Sequence, residues 1–193
     1  MDKGIAYIAT GEDYIKEAVY SGQSCKSQNP ELDITLLTDE KVNFNCFDSV
    51  IVRPELNHKY GIIPDDFFPY DHTLFLDTDT RVCGDLSEIF NLLDVYDIGV
   101  SESIGNLKDT MANHRTIEES VPLSFPLFNS GVILYKDNKA IADLFSLWQN
   151  LYTKYRHHDG FHMNQPTFRV ALYQSGVQLV PLSKLYNCRV SVS

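Results

Sequence analysis

The stretch LFLDTDTRVCGDLSEIF, residues 74–90, joins an apolar run to two aspartates one residue apart, Asp77 and Asp79. If the strand period of two continues through them, both carboxylates point the same way from its end. Like charges held that close repel unless a cation lies between them or one carboxyl takes up a proton. Hard oxygen donors suit Mn2+ or Mg2+, and an ion held there could stabilise the charge of a leaving diphosphate as a Lewis acid. The same pair could instead supply a carboxylate nucleophile and a neighbouring proton shuttle. A plainer reading makes both acids caps of the turn into the next helix. A strand this apolar, however, has no packing reason to finish in an acidic pair.

The elements that must position this pair are legible from periodicity. GIAYIAT (4–10) reads as a buried strand, and Tyr14, Ile15, Ala18, Val19 and Gly22 in the next segment fall at helical spacing. DITLLTD (33–39), SVIVRP (49–54) and HTLFLDTD (72–79) are further strands. Leu86, Ile89, Phe90 and Leu93 form a helical stripe after the acidic pair, with Asp85 placed as N-cap and Glu88 as its capping-box partner. DIGVS (97–101), LFNSGVILYK (127–136) and VQLVPL (177–182) complete the strands. Ala140 to Tyr155 carries the strongest helical stripe, and a last helix starts near NQPTF with Pro166 in its first turn. Strands alternating with helices predict an α/β domain with a mostly parallel sheet. Ligands in such sheets bind beyond the carboxyl ends of the strands, where Asp77 and Asp79 sit. The polar segment 102–126 reads as a long loop and, by its length, a functional one.

Composition narrows the partners. With 193 residues the chain suits one well-cored domain. A formal net charge of −10 argues against a general nucleic-acid binder. The four cysteines are scattered without a C-x-x-C spacing, as expected of reduced thiols. No stretch approaches the ~18 apolar residues of a membrane span, and the N-terminal apolar run is too short for a signal peptide. The expectation is a soluble, cytoplasmic protein with no transmembrane segment.

LFLDTDT fits the nucleophile motif of haloacid-dehalogenase-type phosphatases, with Asp77 attacking phosphorus, Asp79 carrying the proton and Ser101 at a later strand end. That family places the motif on its first strand and closes a later strand with another acidic pair. Here three strands precede the motif, and no downstream strand ends that way.

From end to end the chain resembles the retaining glycosyltransferases of the glycogenin and bacterial lipooligosaccharide galactosyltransferase type. IAYIATGEDYIKEA is similar to that family's first strand and LFLDTDTRVCGDLSEIF to its Asp-x-Asp metal motif. FNSGVILYK resembles its acceptor-side strand, and RPEL, NQPTF and LYNCR resemble further segments in the same order. The fold this implies is a single Rossmann-like nucleotide-diphospho-sugar transferase (GT-A) domain over residues 1–193. The family continues to a further element whose histidine completes the metal site; residues 1–193 are expected to lack it.

The resemblance also implies roles. Ala9 and Thr10 would meet the nucleotide, and Tyr14 would stack on its base, although Tyr14 fits the core stripe of its own helix equally well. Asp77 would contact metal and ribose, Asp79 metal and diphosphate, with Thr78 between them in the nucleotide-sugar site. Asn129 and Ser130 would lie by the transferring sugar, where the alternative is a bulge or a satisfied buried amide. Gln165 would lie beside the anomeric carbon, and Asn164 stands where the family usually has Asp. An amide cannot act as nucleophile or base, which favours proton transfer from the acceptor to the leaving phosphate oxygen. Arg53 and Lys59 are the basic candidates for the diphosphate, with surface ion pairing as their alternative. The implied activity is Mn2+- or Mg2+-dependent transfer of a hexose from a UDP-sugar, with retention, to a hydroxyl of a carbohydrate, lipid or protein. The alternatives are the phosphatase and a catalytically inactive sugar-nucleotide-binding relative.

Overall fold

The computed structural model describes residues 1–56, 62–103, 121–156 and 163–188. A seven-stranded sheet in the order β3-β2-β1-β4-β6-β5-β7 forms its centre. β1 (Lys3–Ala9) is followed by α1 (Glu12–Gln28), β2 (Asp33–Thr38), β3 (Ser49–Val52) and β4 (His72–Leu76). A 3-10 helix (Ser87–Asp94) leads to β5 (Ile98–Glu102) and β6 (Phe128–Lys136). The chain then forms α2 (Lys139–Tyr155), α3 (Gln165–Ser175), β7 (Leu179–Pro181) and a short 3-10 turn at Lys184–Tyr186. Every pairing is parallel except the two made by β6, which runs antiparallel between β4 and β5. The sheet is therefore mostly parallel, as alternation of strands and helices predicts.

Near-continuous apolar runs such as IAYIA and HTLFL are buried because both faces of the sheet are covered. On one face α1 and the 3-10 helix pack Ile15, Ala18, Ile89 and Phe90 against Ile5, Tyr7, Leu74 and Leu134. On the other, α2 and α3 pack Leu144, Trp148 and Phe168 against Ile8, Phe75 and Ile133. Trp148 and Phe168 meet with ring centroids 4.4 Å apart. α2 starts at Asn138, whose side chain accepts the Ile141 N–H. α3 ends at Gly176, whose φ of 69° is the left-handed conformation of a helix stop.

Four local expectations are corrected. The segment after the acidic pair is a 3-10 helix, and its N-cap, Leu86, has no side-chain cap. Asp85 does accept the Ser87 N–H at 2.7 Å, but Glu88 accepts the Tyr186 hydroxyl, 3.0 Å away, so no reciprocal capping box is described. Tertiary partners outcompete the local motif there. β4 stops at Leu76, so Asp77 and Asp79 belong to a turn and the period-two argument does not reach them. Tyr14 is 51% exposed, which removes it from the core stripe of α1.

Candidate functional site

The sheet order fixes where a crevice can open. The chain lays β1, β2 and β3 outward in one direction, then returns to place β4 on the other side of β1. The connections that leave the carboxyl ends of β1 and β4 therefore run in opposite directions along the sheet, which makes this a topological switch point. At the end of β1 stand the buried Ala9, the half-buried Thr10 and Gly11. Gly11 has φ 78°, which a side chain would oppose, and its N–H donates to Asp39 Oδ1 at 3.1 Å. This bend turns the chain directly into α1, with Tyr14 in the first turn.

At the end of β4 the backbone of Asp77 is held on both sides. Its N–H donates to the Gly131 carbonyl on β6 at 2.8 Å, and its carbonyl accepts from Thr80 N at 3.2 Å and Thr80 Oγ1 at 2.8 Å. A Cβ on Gly131 would stand 2.5 Å from Asp77 Oδ2, so the carboxylate rests where only glycine leaves room. Thr78 donates its hydroxyl to Glu17 Oε2 on α1 at 2.8 Å. Asp77 is half-buried and Asp79 exposed at the turn's tip.

β6 brings its polar residues to the same place by a bulge. Between the pairs Val100–Ile133 and Glu102–Phe128, β5 contributes only Ser101, whereas β6 contributes Asn129, Ser130, Gly131 and Val132. Bulges re-aim side chains beside functional sites. Asn129 Oδ1 accepts from Gly131 N at 2.8 Å and from Asn187 Nδ2 at 2.9 Å. Ser130 donates to Asn164 Oδ1 at 2.8 Å, joining β6 to the N-terminus of α3, where half-buried Gln165 is the first residue. The Asn164 carbonyl accepts from Thr167 Oγ1, Phe168 N and the Trp148 indole, which anchors that N-terminus to the core. Burial, then the Glu88 carboxylate it donates to, raise the Tyr186 phenol above its ordinary value and keep it a donor beside Asn187.

The structure thus gathers Ala9, Thr10, Asp77, Thr78, Asp79, Asn129, Ser130, Asn164 and Gln165 along one edge of the sheet. Arg53, just past β3, pairs with Asp66 at 2.7 Å, the ion-pair alternative weighed for it. Lys59 lies outside the described residues, as does most of the 102–126 segment. Sequence reasoning gave no role to Asn187, Gly131 or the α1 hydroxyls beneath the turn. The Asn-Ser-Gly interruption of an apolar strand signalled Gly131 and the LYNCR segment contains Asn187, whereas nothing marked the α1 hydroxyls.

Among the described residues no group of three or more His, Cys, Asp or Glu side chains is arranged to hold a metal ion. Two carboxylates still fit Mn2+ or Mg2+, which commonly take one or two protein carboxylates and complete their shell with phosphate oxygens and water. Among the described residues no helix is long and apolar enough to cross a membrane.

No protein-family model and no curated protein matches the chain. Solved structures do. The glycosyltransferase GlyE of Streptococcus pneumoniae TIGR4 is similar with a TM-score of 0.67 at 19% identity, over 97% of this chain and 46% of that one. The galactosyltransferase LgtC, in complex with donor and acceptor sugar analogues, gives 0.59 at 17% identity over 93% of this chain and 73% of its own. An active-site mutant of LgtC with Gln replaced by Glu gives 0.62 at 17%, over 100% and 80%. The chain spans about half the length of GlyE. These likenesses establish the fold, a GT-A-type glycosyltransferase fold.

Proposed function

We propose that this chain binds a nucleotide sugar, with UDP as the nucleotide, across the crevice between β1 and β4 and transfers its hexose with retention to a hydroxyl acceptor. The observation that carries this reading is the seating of Asp77 on Gly131. It puts a carboxylate turn, the Asn129 bulge and the N-terminus of α3 at one switch point of a GT-A-type fold. LgtC, solved with sugar analogues and described with an active-site glutamine, supports reading Gln165 as the residue beside the anomeric carbon.

In this reading Ala9, Thr10 and Thr78 line the nucleotide, and the exposed Tyr14 ring stacks on the base. Asp77 and Asp79 would hold Mn2+ or Mg2+ against the diphosphate oxygens. A bound ion of this kind supplies Lewis-acid stabilisation of the negative charge on the leaving diphosphate. Asn129 has both acceptor positions of Oδ1 filled by the protein, which leaves its Nδ2 protons to donate to sugar oxygens. Asn164 cannot take up a proton, and its Oδ1 already accepts the Ser130 hydroxyl. The acceptor's proton therefore passes to the departing phosphate oxygen as the bond from C1 to that oxygen breaks and the bond from C1 to the acceptor oxygen forms. The acceptor belongs to the class of carbohydrate, lipid or protein hydroxyls.

The test is calorimetry of UDP and other nucleoside diphosphates with and without Mn2+, using the wild type and Asp79→Ala. Manganese-dependent UDP binding that Asp79→Ala abolishes is the expected result. A wild type that ignores UDP in Mn2+ would overturn the reading. Asp77-dependent release of phosphate from a small phosphoester would favour the phosphatase, and UDP binding without any loss of the donor sugar the inactive relative.

A further inference from the structure

Beneath the carboxylate turn lies a chain of three hydroxyls that the proposed chemistry does not use. Tyr7 on β1 and Ser21 on α1 are almost fully buried; Tyr7 OH is 2.9 Å from Ser21 Oγ, and Ser21 Oγ is 2.8 Å from Thr80 Oγ1. Thr80 Oγ1 in turn lies 2.8 Å from the carbonyl oxygen of Asp77. The direction of this chain follows from counting protons. A carbonyl only accepts, so the single Thr80 proton goes to Asp77. Thr80 must then accept from Ser21, which spends its own proton, and Ser21 must accept from Tyr7. Burial pushes the Tyr7 phenol well above its ordinary value, so it stays protonated as the terminal donor. All three protons point toward the carbonyl of Asp77.

Resting on the nucleotide-sugar reading of the site, we propose that Tyr7, Ser21 and Thr80 are positioning residues, a one-way hydroxyl relay that fixes the attitude of the Asp77–Thr80 turn. Neighbouring bonds from the same helix reinforce it. Ser24 Oγ accepts the Val82 N–H at 3.0 Å and donates to the Ser21 carbonyl at 2.7 Å. Buried Asn29 accepts the Leu86 N–H at 2.7 Å and donates to the Gly84 carbonyl at 3.1 Å. α1 and its C-cap residue Asn29 thus carry a ladder of polar groups along the segment 80–86, and the relay is the rung that reaches the carboxylate turn. With the Asp77 N–H on Gly131 and its carbonyl on Thr80, both ends of that residue's backbone are held, which fixes the point from which its side chain projects.

The relay's direction makes a prediction that packing alone does not. Thr80→Val removes the bond that ends on Asp77. Ser21→Ala leaves that bond but deprives Thr80 of its donor, and Tyr7→Phe leaves both downstream bonds. Native-state amide exchange at Thr80, measured in the full chain relative to the core amide of Leu134, should accelerate in the order Thr80→Val, Ser21→Ala, Tyr7→Phe. The first should show about a tenfold effect, the weight of one lost hydrogen bond. Thr80→Ser, which keeps the hydroxyl, should exchange like the wild type. Equal rates in all variants, the largest effect from the most buried ring, or Thr80→Ser matching Thr80→Val would overturn the relay. Calorimetry of UDP with Mn2+ forms a second arm, in which Thr80→Val should bind about tenfold more weakly than Thr80→Ser. A wild type that does not bind UDP would end the nucleotide-sugar reading, while the exchange order would still decide the relay.

Discussion

Asn129→Asp separates what Asn129 does for the fold from what it offers a ligand. The substitution keeps the side chain's shape and the oxygen that accepts from Gly131 N and Asn187 Nδ2, and it converts only the Nδ2 donor into an acceptor. Both retained bonds become charge-assisted and stronger. Against that, the new charge falls beside Asp77, since the Cβ position of Gly131 is 3.1 Å from Asn129 Oδ1 and 2.5 Å from Asp77 Oδ2. Two carboxylates within roughly 6 Å, at an effective dielectric of ~20, repel by about 3 kcal/mol. The bonds gained offset part of this, so melting should fall only modestly. Nucleotide-sugar affinity should fall further, because a donor worth about 1.5–3 kcal/mol against a charged or polarised oxygen is replaced by a repelling acceptor. That corresponds to a loss of about ten- to a hundredfold or more. Binding of Mn2+ alone, which gains from added negative charge, should hold or improve. Asn129→Ala provides the contrast: it strands the Gly131 N–H and the Asn187 amide and should cost about 1–3 kcal/mol of stability. Calorimetry with Mn2+ alone and then with UDP-sugar, beside thermal melts, reads all of this. An Asn129→Asp variant that binds UDP-sugar like the wild type would refute the orientation assigned to this amide.

Gly131→Ala should displace the Asp77 carboxylate, since the new methyl would stand 2.5 Å from Oδ2; about 1–3 kcal/mol of destabilisation by denaturant melts and loss of Mn2+-dependent UDP binding are expected. Asp79→Ala, at an exposed turn position, should lose that binding while stability stays within about 0.5 kcal/mol. His72 sits buried at the opposite end of β4, its Nε2 without a described partner, and burial followed by the Lys136 ammonium holds its pKa below the ordinary histidine value. The unfolded chain therefore binds the proton more readily, so His72's contribution is present above the ordinary histidine pKa and is lost as pH falls from there toward the depressed folded value. Denaturation midpoints measured at pH 8 and pH 5 (roughly the window of that titration) should fall more for the wild type than for His72→Gln, and equal falls would refute the assignment.

The sheet was readable because its strands obey simple periods. IAYIA, DITLL and HTLFL are buried almost throughout, as a covered parallel sheet requires, and the α2 stripe of Ile141, Leu144, Phe145, Trp148 and Tyr152 is buried as spaced. What escaped has a common cause. The antiparallel course of β6 leaves no mark on its own residues, because an apolar strand between two others looks the same in either direction. The capping box at Asp85 and Glu88 was undone by the Ser87 N–H, which Asp85 accepts, and by Tyr186, 98 positions from the Glu88 it donates to.

The candidate site was legible where it interrupts those same periods. Asp77 follows directly on a strand that had no reason to turn acidic, and Asn-Ser-Gly breaks an apolar strand at the bulge that brings it under that carboxylate. Local rules fail most often where function has displaced them, so these two breaks pointed to one place before any coordinate did. Ser21, Ser24 and Asn29 broke nothing. Small polar residues on a helix look like an ordinary solvated face, and only the fold shows that this face lies against the loop behind the carboxylates. Residues proposed to meet a ligand can thus announce themselves as anomalies. The groups that hold those contacts in place satisfy every local rule, and only their distant hydrogen-bond partners reveal them.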